Sequence, residues 1–203
     1  MPPVLLCFAL LPQAQAVVPP PDGGYPNFTT AEGDHALEAF TLGVVGNTAI
    51  GAYSLFSVTT GGYNTAVGAG ALEFNTAENN TATGAAALLF NTTGTENTAN
   101  GTAALAFNDT GSNNTAIGGF ALFSNTEGGS NTATGLQALF SNTTGRANTA
   151  NGESALFNNT TGNNNTVTGF GALFSNTTGY DNTANGFEAL VFNTTGNFNT
   201  ANG

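Results

Sequence analysis

The chain has 203 residues, a net charge of −11 and only 6% charged residues, with Arg146 as its one strongly basic side chain. So few basic residues argue against nucleic-acid binding and against electrostatic docking on anionic lipid, because both require Lys or Arg to pair with phosphate. Disorder is also disfavoured, since 40% of the residues are hydrophobic and Leu and Phe recur at fixed positions.

The first residues are apolar and are followed by a stretch rich in Pro and Gly. The apolar run at residues 4–11 precedes Ala14-Gln15-Ala16, a pattern typical of a secretory signal peptide cleaved after Ala16. No basic residue precedes the run, and the alternative is an apolar segment that packs on the repeat array. The run is too short to cross a bilayer, so no membrane span is expected. It contains Cys7, the only cysteine, which excludes an intrachain disulfide.

Three segments are therefore expected. They are a signal peptide at residues 1–16, a tether at residues 17–28 and a repeat array at residues 29–203. The tether contains VVPPPDGGYP, which has no periodicity. The signal peptide predicts a secreted protein, either extracellular or at the cell surface.

The rest of the chain is an internal repeat. The pentapeptide Asn-Thr-x-x-Gly begins at Asn47 and returns every seventeen residues up to Asn199, except for one step of sixteen between Asn64 and Asn80. The consensus is N-T-A-x-G-x-x-A-L-F-x-N-T-T-G-x-x, and a degenerate first unit begins near Thr29. Seventeen residues cannot hold two helices, and Asn, Thr and Gly are poor helix formers. The repeat therefore predicts an all-β fold, a parallel β-solenoid of about ten coils with two or three short strands in each.

The fixed positions predict how each coil packs. Alternation along Asn-Thr-Ala-x-Gly points Ala inward and points Thr and x outward. Gly suits corners with positive φ, and the Asn columns are expected to form hydrogen-bonded ladders between coils. Leu is constant and predicts a core ladder formed by Leu55, Leu72, Leu88, Leu105, Leu122, Leu139, Leu156, Leu173 and Leu190.

Phe occupies two different positions relative to this Leu. It comes directly after Leu at Phe56 and in four successive coils, whereas at Phe74, Phe90, Phe107 and Phe192 it comes two residues after. Alternation in a strand would place the second set inside and the first set outside. The alternative places Phe inside, with Leu at a corner. The first reading predicts a lateral interface formed by Phe123, Phe140, Phe157 and Phe174.

The repeat resembles a known group of proteins. Asn-Thr-Ala-Ile-Gly, at residues 47–51 and 114–118, followed by Gly-x-x-Ala-Leu and Asn-Thr-Thr-Gly, is similar to bacterial extracellular β-solenoid repeats. These include the heads of trimeric autotransporter adhesins and tail-fibre-like proteins. The resemblance covers residues 29–203 and implies a spacer or an adhesive head, often trimeric. The unit is longer here than is typical of adhesin heads.

Residues suited to catalysis or to metal binding are few. His35 is the only histidine and lies near Glu32 and Asp34, which we interpret as a polar first coil, because a structural zinc site needs about four ligands. The other acidic residues occupy variable positions and do not form carboxylate pairs. We therefore expect no enzyme activity, no metal and no cofactor.

Two surface chemistries are expected as alternatives or additions. In a secreted chain the Asn-x-Thr sequences predict glycosylation, although the repeat creates this pattern by itself. The candidates are Asn27, Asn79, Asn91, Asn108, Asn113, Asn142, Asn164, Asn176 and Asn193. The Thr-x-Thr sequences at residues 81–83, 132–134 and 166–168 suggest ice binding, but only three coils carry them.

The sequence thus predicts a secreted structural protein that forms an extracellular fibre or an adhesive rod. Its expected partner is itself, as a head-to-tail filament or a homotrimer, because the array stops in mid-repeat at Gly203 and leaves an open strand edge. Glycans or a cell-surface ligand are further possible partners. The alternatives are an ice-binding solenoid and the repeat segment of a larger trimeric adhesin or tail fibre.

Overall fold

One parallel sheet runs the length of the array. A computed structural model of the chain describes residues 29–39 and 44–203, in which eleven strands pair in chain order. The signal peptide and the tether expected at residues 1–28 lie outside the described residues. The strands are β1 (Thr30–Glu32), β2 (Thr48–Ile50), β3 (Thr65–Val67), β4 (Thr81–Thr83), β5 (Thr98–Asn100), β6 (Thr115–Ile117), β7 (Thr132–Thr134), β8 (Thr149–Asn151), β9 (Thr166–Thr168), β10 (Thr183–Asn185) and β11 (Thr200–Asn202).

The fold is the all-β parallel solenoid that the repeat predicted. Each coil has one strand of three residues rather than two or three strands, and turns form most of the remainder. Among the described residues, no helix has the length and hydrophobicity needed to cross a bilayer. Ten steps of about 4.8 Å between neighbouring strands give a rod roughly 48 Å long.

Identical residues stack upon one another from strand to strand. Thr132 pairs with Thr149 and Ala133 with Ala150, and the same register holds along the sheet. The central Ala is fully buried, whereas the residues on either side of it are mostly exposed. The alternation expected within Asn-Thr-Ala-x-Gly is therefore confirmed, and the core is narrow because its sheet side carries mainly Ala.

Leu supplies the opposite side of this core. All the leucines of the predicted ladder are fully buried except Leu190, which is half-buried. These leucines are not in a strand, since each has a positive φ, such as 52° at Leu122 and 54° at Leu139. A left-handed conformation is unfavourable for Leu, and its presence in every coil shows that burial of the side chain outweighs this cost. Leu therefore forms a buried corner.

Two columns of buried Asn hold neighbouring coils together. In the first Asn ladder, the column from Asn47 to Asn199, each side-chain oxygen accepts from the backbone amide of the Asn in the next coil, and from Asn97 onward it also accepts from that residue's side chain. For example, Asn131 Oδ1 accepts from Asn148 N at 3.0 Å and from Asn148 Nδ2 at 3.1 Å. In the second Asn ladder, the column from Asn75 to Asn193, amides bond directly, as from Asn142 Nδ2 to Asn125 Oδ1 at 2.7 Å. A buried amide with satisfied donors and acceptors stabilises the stack, so coil-to-coil bonding is built into the core.

The two glycines of the repeat have different roles. Gly152 of Asn-Thr-Ala-x-Gly has φ 140°, as expected of a corner glycine. Gly145 of Asn-Thr-Thr-Gly does not have a positive φ, so the expected corner role is wrong for this column. A Cβ on Gly145 would lie 2.4 Å from Asn142 Oδ1 and 2.5 Å from Gly162 O. The glycine of Asn-Thr-Thr-Gly cannot be replaced by a larger residue, because its backbone lies directly against the second Asn ladder and the next coil.

Candidate functional surface

Both sets of Phe reach the outside of the rod, but to different degrees. The rings of the first set at Phe123, Phe140, Phe157 and Phe174 are half-buried, whereas the second set is exposed. The left-handed Leu turns the chain at the core, so the alternation of a strand does not apply to the residues that follow it. Phe74, Phe90 and Phe107, two residues after Leu, are 40%, 39% and 44% exposed. The expectation that this set faces inward is wrong. The alternative is right that Leu lies at a corner and wrong that Phe lies inside.

Seven of these rings form one continuous column. We call this column the aromatic edge, and it consists of Phe74, Phe90, Phe107, Phe123, Phe140, Phe157 and Phe174. Successive ring centroids lie 5.0–5.4 Å apart. The two sets join at Phe107 and Phe123, whose rings meet edge to face at 83°. The predicted lateral interface, from Phe123 to Phe174, is thus the second half of a longer column.

The geometry of the rings decides what the aromatic edge can bind. Phe140 and Phe157 stack at an interplanar angle of 3°, so their faces contact each other and their edges point outward. Stacked rings cannot offer their faces to a planar ligand or to a cation. The residues after the four Phe of the second half are Ser124, Ser141, Asn158 and Ser175, which carry no charge. This half is therefore an uncharged apolar strip suited to contact with another apolar surface.

No protein-family model, curated protein or solved structure matches this chain. The resemblance to extracellular solenoid repeats consequently rests on the repeat residues alone.

The candidate glycosylation residues fall into two structural classes. Fully buried members of the second Asn ladder, whose Nδ2 atoms donate to neighbouring oxygens, are Asn91, Asn108, Asn142 and Asn176. A glycan is bulky and attaches at this nitrogen, so these positions could carry one only if the ladder opened. Exposed residues at left-handed corners are Asn79, Asn113 and Asn164. Asn193 is half-buried and also donates within the second Asn ladder, whereas Asn27 lies outside the described residues.

The strand face carries an unbroken column of Thr from Thr30 to Thr200. Thr occupies the first position of all eleven strands, and the side chains are exposed or half-exposed. The second outward column is mixed, with Ile117, Thr134 and Asn151 in three successive strands. The Thr-x-Thr coils therefore do not form a two-dimensional hydroxyl grid, although the single Thr column is regular.

His35 lies at the first corner of the array. It stacks on Tyr53 with ring centroids 4.8 Å apart, its Nδ1 contacts the Glu38 carboxylate, and its Nε2 lies 3.6 Å from Asp34 Oδ1. The hydrogen bond with Glu38 raises the pKa of His35; desolvation opposes this, and the charge of Asp34 adds to it. Within residues 29–39 and 44–203 no group of three His, Cys, Asp or Glu residues could hold a metal ion. The arrangement is a surface ion-pair cluster.

Proposed function

We propose that this chain is an extracellular structural rod that associates sideways with copies of itself through the aromatic edge. The observation that carries the proposal is the unbroken column of seven Phe rings along one edge of the rod. A contiguous apolar strip of this kind usually marks a contact surface. A non-enzymatic role agrees with the residues that recur in every coil, since Asn and Gly serve coil-to-coil bonding and Leu serves core packing.

A second copy is the occupant that the charges favour. The chain carries a net charge of −11, so two copies repel each other over most of their surfaces. The half of the aromatic edge from Phe123 to Phe174 is the part where this repulsion is smallest, because the Phe and the residues that follow them are uncharged. Two rods meeting along this strip would bury Phe edges against each other without desolvating a carboxylate.

The size of the strip sets the expected strength. The whole aromatic edge has seven rungs spaced by about 5 Å and spans roughly 30 Å, so contact along all of it, over a width of about 10 Å, buries at most roughly 300 Å² on each partner. This is well below the roughly 800 Å² per partner of a stable complex. We therefore expect weak association, with a dissociation constant in the micromolar range or above, that becomes substantial where many rods lie side by side.

Sedimentation velocity over a concentration series tests the proposal. Phe140→Ala combined with Phe157→Ala should raise the dissociation constant about tenfold or more, and Ala already occupies this position at Ala106. The matched control is Ile117→Thr, which removes an exposed apolar side chain from the strand face and introduces the residue found at Thr134. Association that is absent in the unmodified chain, or that falls equally in the control, would contradict the proposal.

The extracellular location is proposed from the N-terminal sequence. The apolar run followed by Ala14-Gln15-Ala16 supports cleavage and export. N-terminal sequencing of the protein recovered from a secreting host should begin at Val17. Recovery of an intact N-terminus inside the cell would refute this part of the proposal.

Ice binding is retained as a second candidate because of the regular Thr column. An exposed hydroxyl in every strand gives a row with a spacing of about 4.8 Å. A freezing assay distinguishes the candidates, since the lateral-rod proposal predicts no thermal hysteresis. Hysteresis that is lost in Thr132→Val combined with Thr149→Val would favour the ice-binding candidate.

A further inference from the structure

The one short step of the repeat creates a notch on the surface of the rod. Between Asn75 and Asn80 the chain reads N-T-A-E-N-N, whereas the next coil reads N-T-T-G-T-E-N between Asn91 and Asn97. The open groove at this place has a volume of about 360 Å³. Its polar side chains come from three successive coils and are Thr60, Thr76, Glu78, Thr93 and Thr95.

The core tolerates the missing residue because another carbonyl replaces the absent glycine. In a regular coil both Asn97 Nδ2 and Asn108 Nδ2 donate to Gly111 O at 2.8 Å. In the short coil Asn64 Nδ2 and Asn75 Nδ2 both donate to Ala77 O, also at 2.8 Å. The Asn ladders therefore remain intact, and the missing residue leaves a gap only on the outside.

Backbone donors also lie at the notch. In the next coil the amides of Thr92, Thr93 and Gly94 all point to Asp109 O, at 3.1, 3.1 and 3.2 Å. In the short coil only the Thr76 amide makes the equivalent bond, to Thr92 O at 3.1 Å. The amides of Ala77 and Glu78 make no hydrogen bond to any residue that the structure describes. Two adjacent N–H groups are thus available to a ligand beside the Glu78 carboxylate.

We propose that this notch binds a neutral sugar ring. A sugar needs hydrogen-bond acceptors and donors close together, because each hydroxyl both donates and accepts. The Glu78 carboxylate accepts, the Ala77 and Glu78 amides donate, and the Thr93 and Thr95 hydroxyls can do either. An anion would meet the charge of Glu78, and a cation would meet the two N–H groups. The volume falls at the lower end of the range of small-molecule sites, which suits one or two sugar rings.

Restoring the missing residue provides a direct test. Insertion of one Gly between Ala77 and Glu78 converts N-T-A-E-N-N into N-T-A-G-E-N-N and returns the step to seventeen residues. This variant should fold at least as well as the unmodified chain, because it restores the seventeen-residue spacing of its neighbours and the Gly that follows Asn by three residues, and it should close the notch. Glu78→Gln keeps the shape and removes the charge. Glu96→Gln is the matched control, since Glu96 is an exposed acid in the next coil that does not line the notch.

Saturation-transfer NMR with methyl β-glucoside, methyl β-galactoside and methyl α-mannoside reads out binding. We expect the unmodified chain and the Glu96→Gln variant to bind at least one glycoside saturably. Binding to Glu78→Gln should be about tenfold weaker, and the insertion variant should not bind. Circular dichroism checks that each variant is folded, and if the insertion variant fails to fold, Glu78→Gln decides the test. The proposal is overturned if no glycoside binds, if the insertion variant binds as well as the unmodified chain, or if phosphate or calcium chloride binds at the notch instead. Lateral association is measured separately and does not depend on this site.

Discussion

Removal of one amide from the second Asn ladder tests what holds the coils together. In Asn142→Ala the protein loses three hydrogen bonds. They are the bonds from Asn142 Nδ2 to Asn125 Oδ1 at 2.7 Å and to Gly145 O at 3.1 Å, and the bond from Asn159 Nδ2 to Asn142 Oδ1 at 2.9 Å. Asn142 is completely buried, so water cannot replace the lost partners without opening the stack.

The expected cost follows from these bonds. Each contributes about 1 kcal/mol net, and Asn125 Oδ1, which accepts no other side-chain hydrogen bond, becomes a buried acceptor without a partner at a cost of about 1–3 kcal/mol. The terms overlap, and together they predict a loss of about 3–5 kcal/mol in the free energy of unfolding. This is a large fraction of the roughly 5–15 kcal/mol that stabilises a typical domain.

The assay must resolve individual coils because repeat arrays open locally. Urea unfolding followed by circular dichroism gives the overall loss, and amide hydrogen exchange shows where protection falls. Protection should fall first at the coils that contain Asn125, Asn142 and Asn159. The matched control is Asn151→Ala, which removes an exposed Asn and should change stability by less than about 0.5 kcal/mol. Equal stability of the two variants would refute the claim that the second Asn ladder stabilises the rod.

Three further substitutions, two of them with a matched control, test the backbone and the second Asn ladder. Gly145→Ala should cost about 3 kcal/mol or more in chemical unfolding because of its close contacts, whereas Gly119→Ala, with its nearest contact at 3.4 Å, should be tolerated. Ala86 has a φ of 56°, and Ala86→Gly should raise the free energy of unfolding by about 0.5–1 kcal/mol, because relief of the left-handed conformation exceeds the entropy that Gly adds to the unfolded chain. The control Ala85→Gly should lower the free energy of unfolding by a similar amount. Thermal melts that rank the two variants alike would contradict this prediction. Asn142→Asp should be more stable at pH 3 than at pH 7. Burial raises the pKa of the new carboxyl above its value in the unfolded chain, so the stability of the variant is lost as the pH rises. A free energy of unfolding that does not change with pH would contradict the burial of this position.

The stacking of the strands and the Leu core ladder could be predicted from the sequence, because both follow strong periodic patterns. The step of seventeen fixed the register of Thr on Thr and Ala on Ala, and a constant Leu between polar residues indicated a buried position. Small Ala beside exposed Thr was sufficient to orient the strand. These features depend only on which residue types prefer burial, and that preference is visible without coordinates.

The corners and the surfaces were not readable. Leu rarely adopts a left-handed conformation, so the repeat left open whether Leu122 lies in a strand or at a corner, and the direction of Phe123 depends on that choice. The continuity of Phe107 with Phe123 was hidden for the same reason, since the two occupy different repeat positions. The step of sixteen before Asn80 was visible, but its effect on the surface required knowing that Ala77 O replaces a glycine carbonyl. Sequence periodicity indicates the average coil, whereas surfaces arise where coils differ.

Small-angle X-ray scattering over a concentration series tests the central claim most directly, namely that the rods associate sideways through the aromatic edge. We predict that the cross-sectional radius of gyration rises with concentration while the particle length stays constant, and that Phe140→Ala combined with Phe157→Ala suppresses the rise. A cross-section that stays constant at all concentrations, or particles that lengthen without widening, would contradict the account.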